Sequence, residues 1–520
     1  MYSTTLPHSC YIPCKPKKLD KTRTSHKGKN NKKVSLFRAI MRRFIHTTVR
    51  RNSAQTTLKD TLKKLVPQRR IEFQKLRQEL QNVQLPNNEL TVGSILGGMR
   101  GCQLLYWQSS TLDPIKGIKF WGYTIQECQE LLPGPEDSSN IFYPEAMFWL
   151  LLTGEIPTKK QVNSLIQQWN TIVISNSSVE TSYLPEEVNS IMNSLPATMH
   201  PMTQFSIGVG TLSYFSKFRD NYSRGVNNKL TMWEDAFDDV MTLIAFLPSL
   251  ASKIYRRITN QCNKKEVCKF DPSGDWAQNL TSMMGLLSKE RNKTTKEDKD
   301  DTKEITNLIR LYTGLHVDHE GGNVSAHTTH LVGSALSDPM LSYSAGLLGL
   351  AGPLHGLAAQ DVVKFLLQTQ KQVENTKDET QVEDYLWSVL NNHHVIPGYG
   401  HAVLRREDPR FSAMLDFVNQ RSEQFKDDPN VNLMLLLSRV APRVLGEWGK
   451  CKNPHPNVDS ASGVLFYHYG MKELDFITVI FGCSRAMGPC AQLVWDRIYG
   501  LPIERPKSVD FNYLKKFSKL

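Results

Sequence analysis

Residues 359–374 read AQDVVKFLLQTQKQVE, and the spacing of their apolar positions decides the fold class. Val362, Val363, Leu366 and Leu367 recur at helical spacing, which puts them on one face of an amphipathic helix. Working outward, NVNLMLLLSRVAPRVLGEW (430–448) and ELDFITVIFGCSRAMGPCAQLVWDRIYG (473–500) are long and apolar, with Gly or Pro near bends. Upstream, LSYSAGLLGLAGPLHGLAA (341–359) is broken by Pro353 and His355 and preceded by Asp338 and Pro339, so it reads as a buried helix pair. No run of eighteen apolar residues exists, and a membrane is not an expected partner. Strand-like alternation and Asn-Gly or Asp-Gly hairpins are scarce, and βαβ punctuation is absent. The class is all-α.

A chain of 520 residues, 40% hydrophobic and 22% charged, can bury a large core and is expected to form two domains, one of them smaller. Its net charge of +12 is not spread evenly. Residues 1–55 hold fourteen Lys and Arg against the single acid Asp20, which leaves residues 56–520 with a net charge of −1. The basic excess therefore gives no support to nucleic-acid binding by the folded part. Residues 1–40, polar and Lys-rich, read as disordered. The following MRRFIHTTVRRNSAQ (41–55) is acid-free and carries Arg42, Arg43, Arg50 and Arg51, the composition of a mitochondrial transit peptide. Met41 is a second candidate initiator beside Met1. The chain ends Ser518-Lys519-Leu520, the tripeptide of peroxisomal import. The matrix ranks first because its signal is longer.

Nine cysteines without a CxxC pair argue against a disulfide framework or structural zinc. Two stretches look like insertions: SNSSVETSYLPEE (175–187) and SKERNKTTKEDKDDTKE (288–304). The second is expected to be a solvated loop or frayed helix end. There is no Walker A loop, and GSILGGMRG (93–101) does not match GxGxxG, which removes most support for kinase and dehydrogenase readings.

GLHVDHEGGNVSAHTTH (314–330) places four of the fourteen histidines on seventeen positions. His316 and His319 are three apart, as are His327 and His330, with Asp318 and Glu320 beside the first pair. The spacing allows a metal site, a polar network in a helical core, or part of an active site. Three further segments gather titratable groups among Gly and Pro: GLAGPLHGLAAQ (349–360), VIPGYGHAVLRREDPRF (395–411) and KCKNPHPNVDSASG (450–463). Such backbone can approach a ligand closely. Taken singly, each His is an ordinary cap or core donor. Four constellations in one chain favour a site.

HVDHEGGNVSAHTTHLVGSALSDP, LAGPLHGLAAQ, PGYGHAVLR, DPRF, PNVD and IERPKS together resemble the citrate synthases of the eukaryotic type, in order from about residue 56 to the C-terminal region. The resemblance implies a two-domain helical fold, a homodimer, and an active site in the interdomain cleft. It assigns residues 56–356 and 471–520 to the large domain and 357–470 to a small domain that closes over the substrates. The implied reaction joins an acyl-CoA to oxaloacetate and then hydrolyses the thioester. A carboxylate alone cannot lift a proton beside a thioester, so a base needs a partner that stabilises the forming enolate. By resemblance Asp459 is the base, His355 the donor to the thioester oxygen, and His401 the group that polarises the ketone. His319 contacts oxaloacetate with Asn323 near it. Arg410, Arg485 and Arg505 bind its carboxylates, the last from the partner subunit; a guanidinium fork suits that task. Arg100, Arg405, Lys450 and Lys452 fall at the family's CoA-phosphate positions. His316, His327 and His330 then read as a packed polar network. The resemblance implies no metal and no cofactor beyond the CoA thioester substrate.

One departure bears on specificity. The family's commonest pattern after the catalytic Asp is a small residue then His, whereas Asp459 is followed by Ser460-Ala461-Ser462. With LFYHYG (465–470), this looks like the 2-methylcitrate synthase branch, which accepts propionyl-CoA as well as acetyl-CoA. A plain citrate synthase is the alternative. An inactive paralogue acting as a scaffold is disfavoured, because the Asp, the histidines and the arginines are all present.

Overall fold

Asp-Pro pairs open three of the helices. Asp338, Asp408 and Asp428 each accept a hydrogen bond from a backbone N–H in the first turn that follows. Pro339, Pro409 and Pro429 take the first helical position, where no N–H is needed. The computed structural model describes residues 56–86, 90–177, 182–260, 270–286, 296–401 and 403–517. The leader, the C-terminal tripeptide, residues 178–181 of the first insertion and residues 288–295 of the second lie outside the described residues.

The helices that carry the core and the site are α1 (Pro144–Thr153), α2 (Met232–Ile258), α3 (Lys296–His316), α4 (Val324–Ser334), α5 (Pro339–Leu350) and α6 (Ala358–Gln372). They continue with α7 (Glu379–Asn391), α8 (Pro409–Asn419), α9 (Pro429–Trp448), α10 (Asp459–His468), α11 (Leu474–Arg485) and α12 (Met487–Tyr499). Helix α2 packs on α12, which packs on α1, while α4 pairs with α5. Helices α6 to α10 pack largely among themselves, α6 and α8 on α10 and α7 on α9, and touch the rest through α3, α11 and the helix Ile125–Leu131. On α6 the expected face is realised: Val362, Val363 and Leu366 are buried, and Leu367 is half-buried.

The stretch 473–500 forms two helices that meet at Ala486. By length and composition it is apolar enough to cross a membrane, but 94% of its most apolar window is covered by the rest of the protein. It is a core element, and Trp495 within it is fully buried. The charged run 288–304 does more than fray. Residues 296–304 open α3, where Lys303 pairs with Asp137 at 2.7 Å and Glu304 with Arg421.

A small antiparallel sheet breaks the all-helical pattern: β1 (Ser110–Asp113), β2 (Gly117–Phe120) and β3 (Tyr123–Thr124), in that order. Asp113 holds the first turn, its Oδ1 accepting from the N–H groups of Ile115 and Lys116 at 2.8 and 2.9 Å. Gly117 sits at φ +78°, and a Cβ there would fall 2.4 Å from Cγ of Pro409, at the start of α8. The hairpin therefore abuts the helix that carries Arg410.

Candidate active site

Helix α3 ends at His316, and α4 begins after Asn323, so His319 lies on the short loop between them. Asp318 fixes that loop from inside the protein. Its Oδ2 accepts from Trp107 Nε1 at 2.8 Å and from the hydroxyls of Ser109 and Ser110 at 2.7 Å, and its Oδ1 from the His319 N–H at 2.9 Å. The His319 ring faces His401, with centroids 5.4 Å apart. Its Nε2 is buried and has no partner among the described residues. Burial, then the Arg410 charge, holds its pKa well below the ordinary imidazole value.

His401 and Asp459 stand at the ends of two loops stitched side by side, Asp459 as the first residue of α10. Asn457 N–H donates to Gly398 O at 2.9 Å, Gly400 N–H to His455 O at 3.2 Å, and the Asn457 side chain to Gly400 O at 3.1 Å. Gly398, at φ +83°, brings the loops together; a Cβ there would meet Cα of Ser460 at 2.9 Å. Two backbone amides, those of Val403 and Leu404, donate to His401 Nδ1 at 3.0 Å. A backbone N–H can only donate, so Nδ1 is bare and the proton of the neutral ring sits on Nε2. His355 lies in the turn between α5 and α6. There the Ser325 N–H donates to His355 Nε2 at 3.3 Å and the Ser325 hydroxyl lies 2.9 Å from the same nitrogen; with Nε2 accepting from the amide, the ring proton sits on Nδ1. Burial lowers both rings to a pKa of about 4, helped by Arg410 at His401 and by Arg485 at His355. Both are neutral donors at pH 7.

Two guanidiniums line the same space. Arg410 grips Asp408 through Nε at 3.1 Å and Nη2 at 2.7 Å, which leaves its Nη1 edge. Arg485, 2% exposed, donates to His316 O at 2.9 Å and to Asn323 Oδ1 at 3.2 Å, and lies 4.8 Å over the Phe481 ring. Both of those oxygens are neutral. A buried cation whose described hydrogen bonds go to neutral groups, with Asp318 acting on it by charge alone, is costly, and a carboxylate ligand would relieve it. Asp459 opens α10 within the field of both arginines. Burial raises its pKa to about 6, against the pull of Arg410 and then Arg485. The result is a cluster of one weakly acidic carboxyl, neutral imidazoles and two fixed cations.

Not every residue singled out from the sequence joins this cluster. Asn323 does not offer its amide to a ligand: Oδ1 accepts from Ala326 N–H and Arg485 and lies 2.9 Å from Ser325 Oγ, while Nδ2 donates to His319 O and Glu320 O. It caps α4 and braces the loop. The histidines divide: His316 stacks on Tyr312 at 3.9 Å beside the site, whereas His327 and His330 turn away to Glu504 and Asp496. Arg505 is exposed, and no described contact joins it to this cluster. Its neighbour Glu504 is tied to Ser334 at the far end of α4, about three turns, ~16 Å, from Asn323. Arg405, Lys450 and Lys452 are exposed on adjoining loops joined by Asn453 Nδ2, which donates to Leu404 O at 3.0 Å and Arg406 O at 3.1 Å. Arg100 is exposed in the turn after Gly97, and no described contact joins it to them. Ser325, which sets the His355 tautomer, carries no sequence signal beyond standing two places after a helix cap.

A family model described as citrate synthase, C-terminal domain, matches residues 98–507. The chain is 48% identical over 481 residues to citrate synthase 3, mitochondrial, of Saccharomyces cerevisiae, covering 92% of this chain and 96% of that one. It is 46% identical over 467 residues to 2-methylcitrate synthase, mitochondrial, of Aspergillus fumigatus, covering 90% and 94%. Among solved structures, the ternary complex of carboxymethyl coenzyme A and oxaloacetate with citrate synthase from Thermoplasma acidophilum matches with a TM-score of 0.62. That match has 19% identity and covers 81% of this chain and 96% of that one. At that identity the likeness speaks for the fold alone.

Proposed function

The chain belongs to the citrate synthase family, and from that premise we propose how its residues divide the condensation of an acyl-CoA with oxaloacetate. Asp459 takes the proton from the α-carbon of the thioester, and the freed electron pair moves onto the thioester oxygen. The Nδ1–H of His355 meets that oxygen, a donor that carries no charge of its own. The enol carbon then attacks the ketone carbon of oxaloacetate, whose oxygen receives the Nε2–H of His401. Water finally cleaves the thioester to give the tricarboxylate and CoA. The thioester brings its own activation, so no resident metal or cofactor enters. The observation that carries this reading is the gathering of Asp459, His355 and His401 around Arg410 and Arg485.

His319, Arg410 and Arg485 hold oxaloacetate in the proposed pose, and Arg505 of the partner subunit completes the cradle in a homodimer. Arg505 is exposed and makes no described contact with the site of its own chain, which is in keeping with supply from the partner. Arg405, Lys450, Lys452 and Arg100 are proposed to meet the CoA phosphates. Residues 357–470 would close over the bound substrates. The basic leader directs the protein to the mitochondrion, in keeping with the names of its relatives, and Ser518-Lys519-Leu520 would add a peroxisomal fraction.

For the acyl group we propose propionyl-CoA together with acetyl-CoA, yielding 2-methylcitrate and citrate. Ala461, fully buried on the first turn of α10 two residues after the base, supports this by replacing a larger imidazole. One methylene in an apolar pocket discriminates by only about 1–3 kcal/mol, so both substrates should turn over. Comparing kcat/KM for the two thioesters on the purified enzyme tests the assignment. Comparable values are expected, and a strong preference for acetyl-CoA would return the chain to plain citrate synthesis.

A further inference from the structure

Two histidines of the 314–330 stretch have no part in the mechanism above, yet both are engaged with charged groups. His327 Nε2 lies 2.8 Å from Glu504 Oε1. His330 stands one turn further along α4, with Nδ1 at 2.9 Å from Asp496 Oδ2 and Nε2 at 3.7 Å from Glu504 Oε2. Asp496 is itself held from α12, its Oδ1 accepting from Gln492 Nε2 at 2.8 Å. The backbone joins in, since the Glu504 N–H donates to Ser334 Oγ at 3.0 Å. One residue, Glu504, is thus tied at side chain and main chain in a segment that otherwise has no regular structure and is mostly exposed. The residue that follows it is Arg505.

We propose that the His327–Glu504 hydrogen bond, backed by His330 and Asp496, is a positioning clamp that sets the reach of Arg505 into the oxaloacetate site of the partner subunit. The inference rests on the reading of Arg505 given above. Its physical basis is entropic. An arginine on a loose tail must be ordered each time substrate binds, whereas one whose preceding residue is already fixed needs only its own side chain ordered. Burial alone would lower the His330 pKa, but Asp496 at hydrogen-bond distance and Glu504 beyond it raise it above the ordinary value. The ring therefore favours a charge between two carboxylates. Arg497 opposes that charge from the same helix as Asp496. Glu504, His327 and His330 are positioning residues; none touches substrate.

The test compares steady-state kinetics of full-chain variants at saturating acetyl-CoA. Arg505→Ala is expected to raise KM for oxaloacetate by about tenfold or more, as loss of a charge-assisted contact would. Glu504→Gln should move the same constant by about 3- to 20-fold, with KM for acetyl-CoA and the dimer mass unchanged. The double variant should be no worse than Arg505→Ala alone, because a clamp without its arginine has nothing to position. His327→Leu should resemble Glu504→Gln, and His327→Gln, which keeps a donor at the same reach, should restore near-normal values. Normal kinetics for Arg505→Ala would sink the cradle reading and the clamp with it. An impaired Arg505→Ala beside a normal Glu504→Gln and His327→Leu, or effects that multiply in the double variant, would sink the clamp alone.

Discussion

Asp459 is the residue on which the proposed chemistry turns, and its environment makes a definite statement about pH. Its carboxyl is raised to about 6 by burial, while His355 and His401 are lowered to about 4. Only ionised Asp459 can accept a proton, so kcat/KM for the acyl-CoA should fall as pH drops through about 6, roughly tenfold per unit below it. The imidazoles stay neutral until about 4 and should add no limb above that. A profile that stays flat from pH 7 to 5 would contradict this. Asp459→Asn should cut turnover by about 100-fold or more while calorimetric oxaloacetate binding survives, since the anion cradle is intact. At this scale the residue types were readable from the motifs. The tautomers were not, because the backbone amides of Ser325, Val403 and Leu404 set them, and a motif does not reveal where an amide points.

At the scale of elements, the small sheet matters more than its length suggests. The segment leading into β1 brings Trp107, Ser109 and Ser110 to one oxygen of Asp318, while the other caps the His319 N–H. Asp318→Asn would set an amide against donors that need an acceptor. It should therefore destabilise the protein by about 2–4 kcal/mol in denaturant melts and raise KM for oxaloacetate through a displaced His319. Unchanged stability would show that the hub is not needed. The hairpin escaped the sequence reading because its turn, Asp113-Pro114-Ile115-Lys116-Gly117, is longer than an Asn-Gly or Asp-Gly turn. Leu112, Ile118 and Phe120 flank that turn with alternating apolar residues and were the available signal. Asp-Pro helix starts were more regular, yet Asp113-Pro114 makes a turn, so the dipeptide alone does not name its element.

At the scale of the molecule, the role proposed for Arg505 would make a dimer part of the active site. A mixed dimer of Asp459→Asn and Arg505→Ala subunits, isolated through two different tags, tests this directly. If Arg505 serves the partner, one of its two sites is wild-type, and about half the activity of the wild-type dimer should return although each parent is impaired. If Arg505 served its own subunit, both sites would carry a lesion and no activity would return. The sequence by itself determined the helical class, through apolar periodicity that any α6-like segment must obey, and it determined the chemical groups, through Asp, His and Arg set among glycines and prolines. Only the tertiary structure decided which of those groups meet. His319 and His401 are 82 positions apart in the chain and 5.4 Å apart in space. His327 and His330, beside His319 in sequence, belong instead to the tail. The reason is physical: helical spacing fixes what shares a face along one element, whereas the meeting of two loops depends on packing, glycine clearance and buried hydrogen bonds distributed over the whole chain.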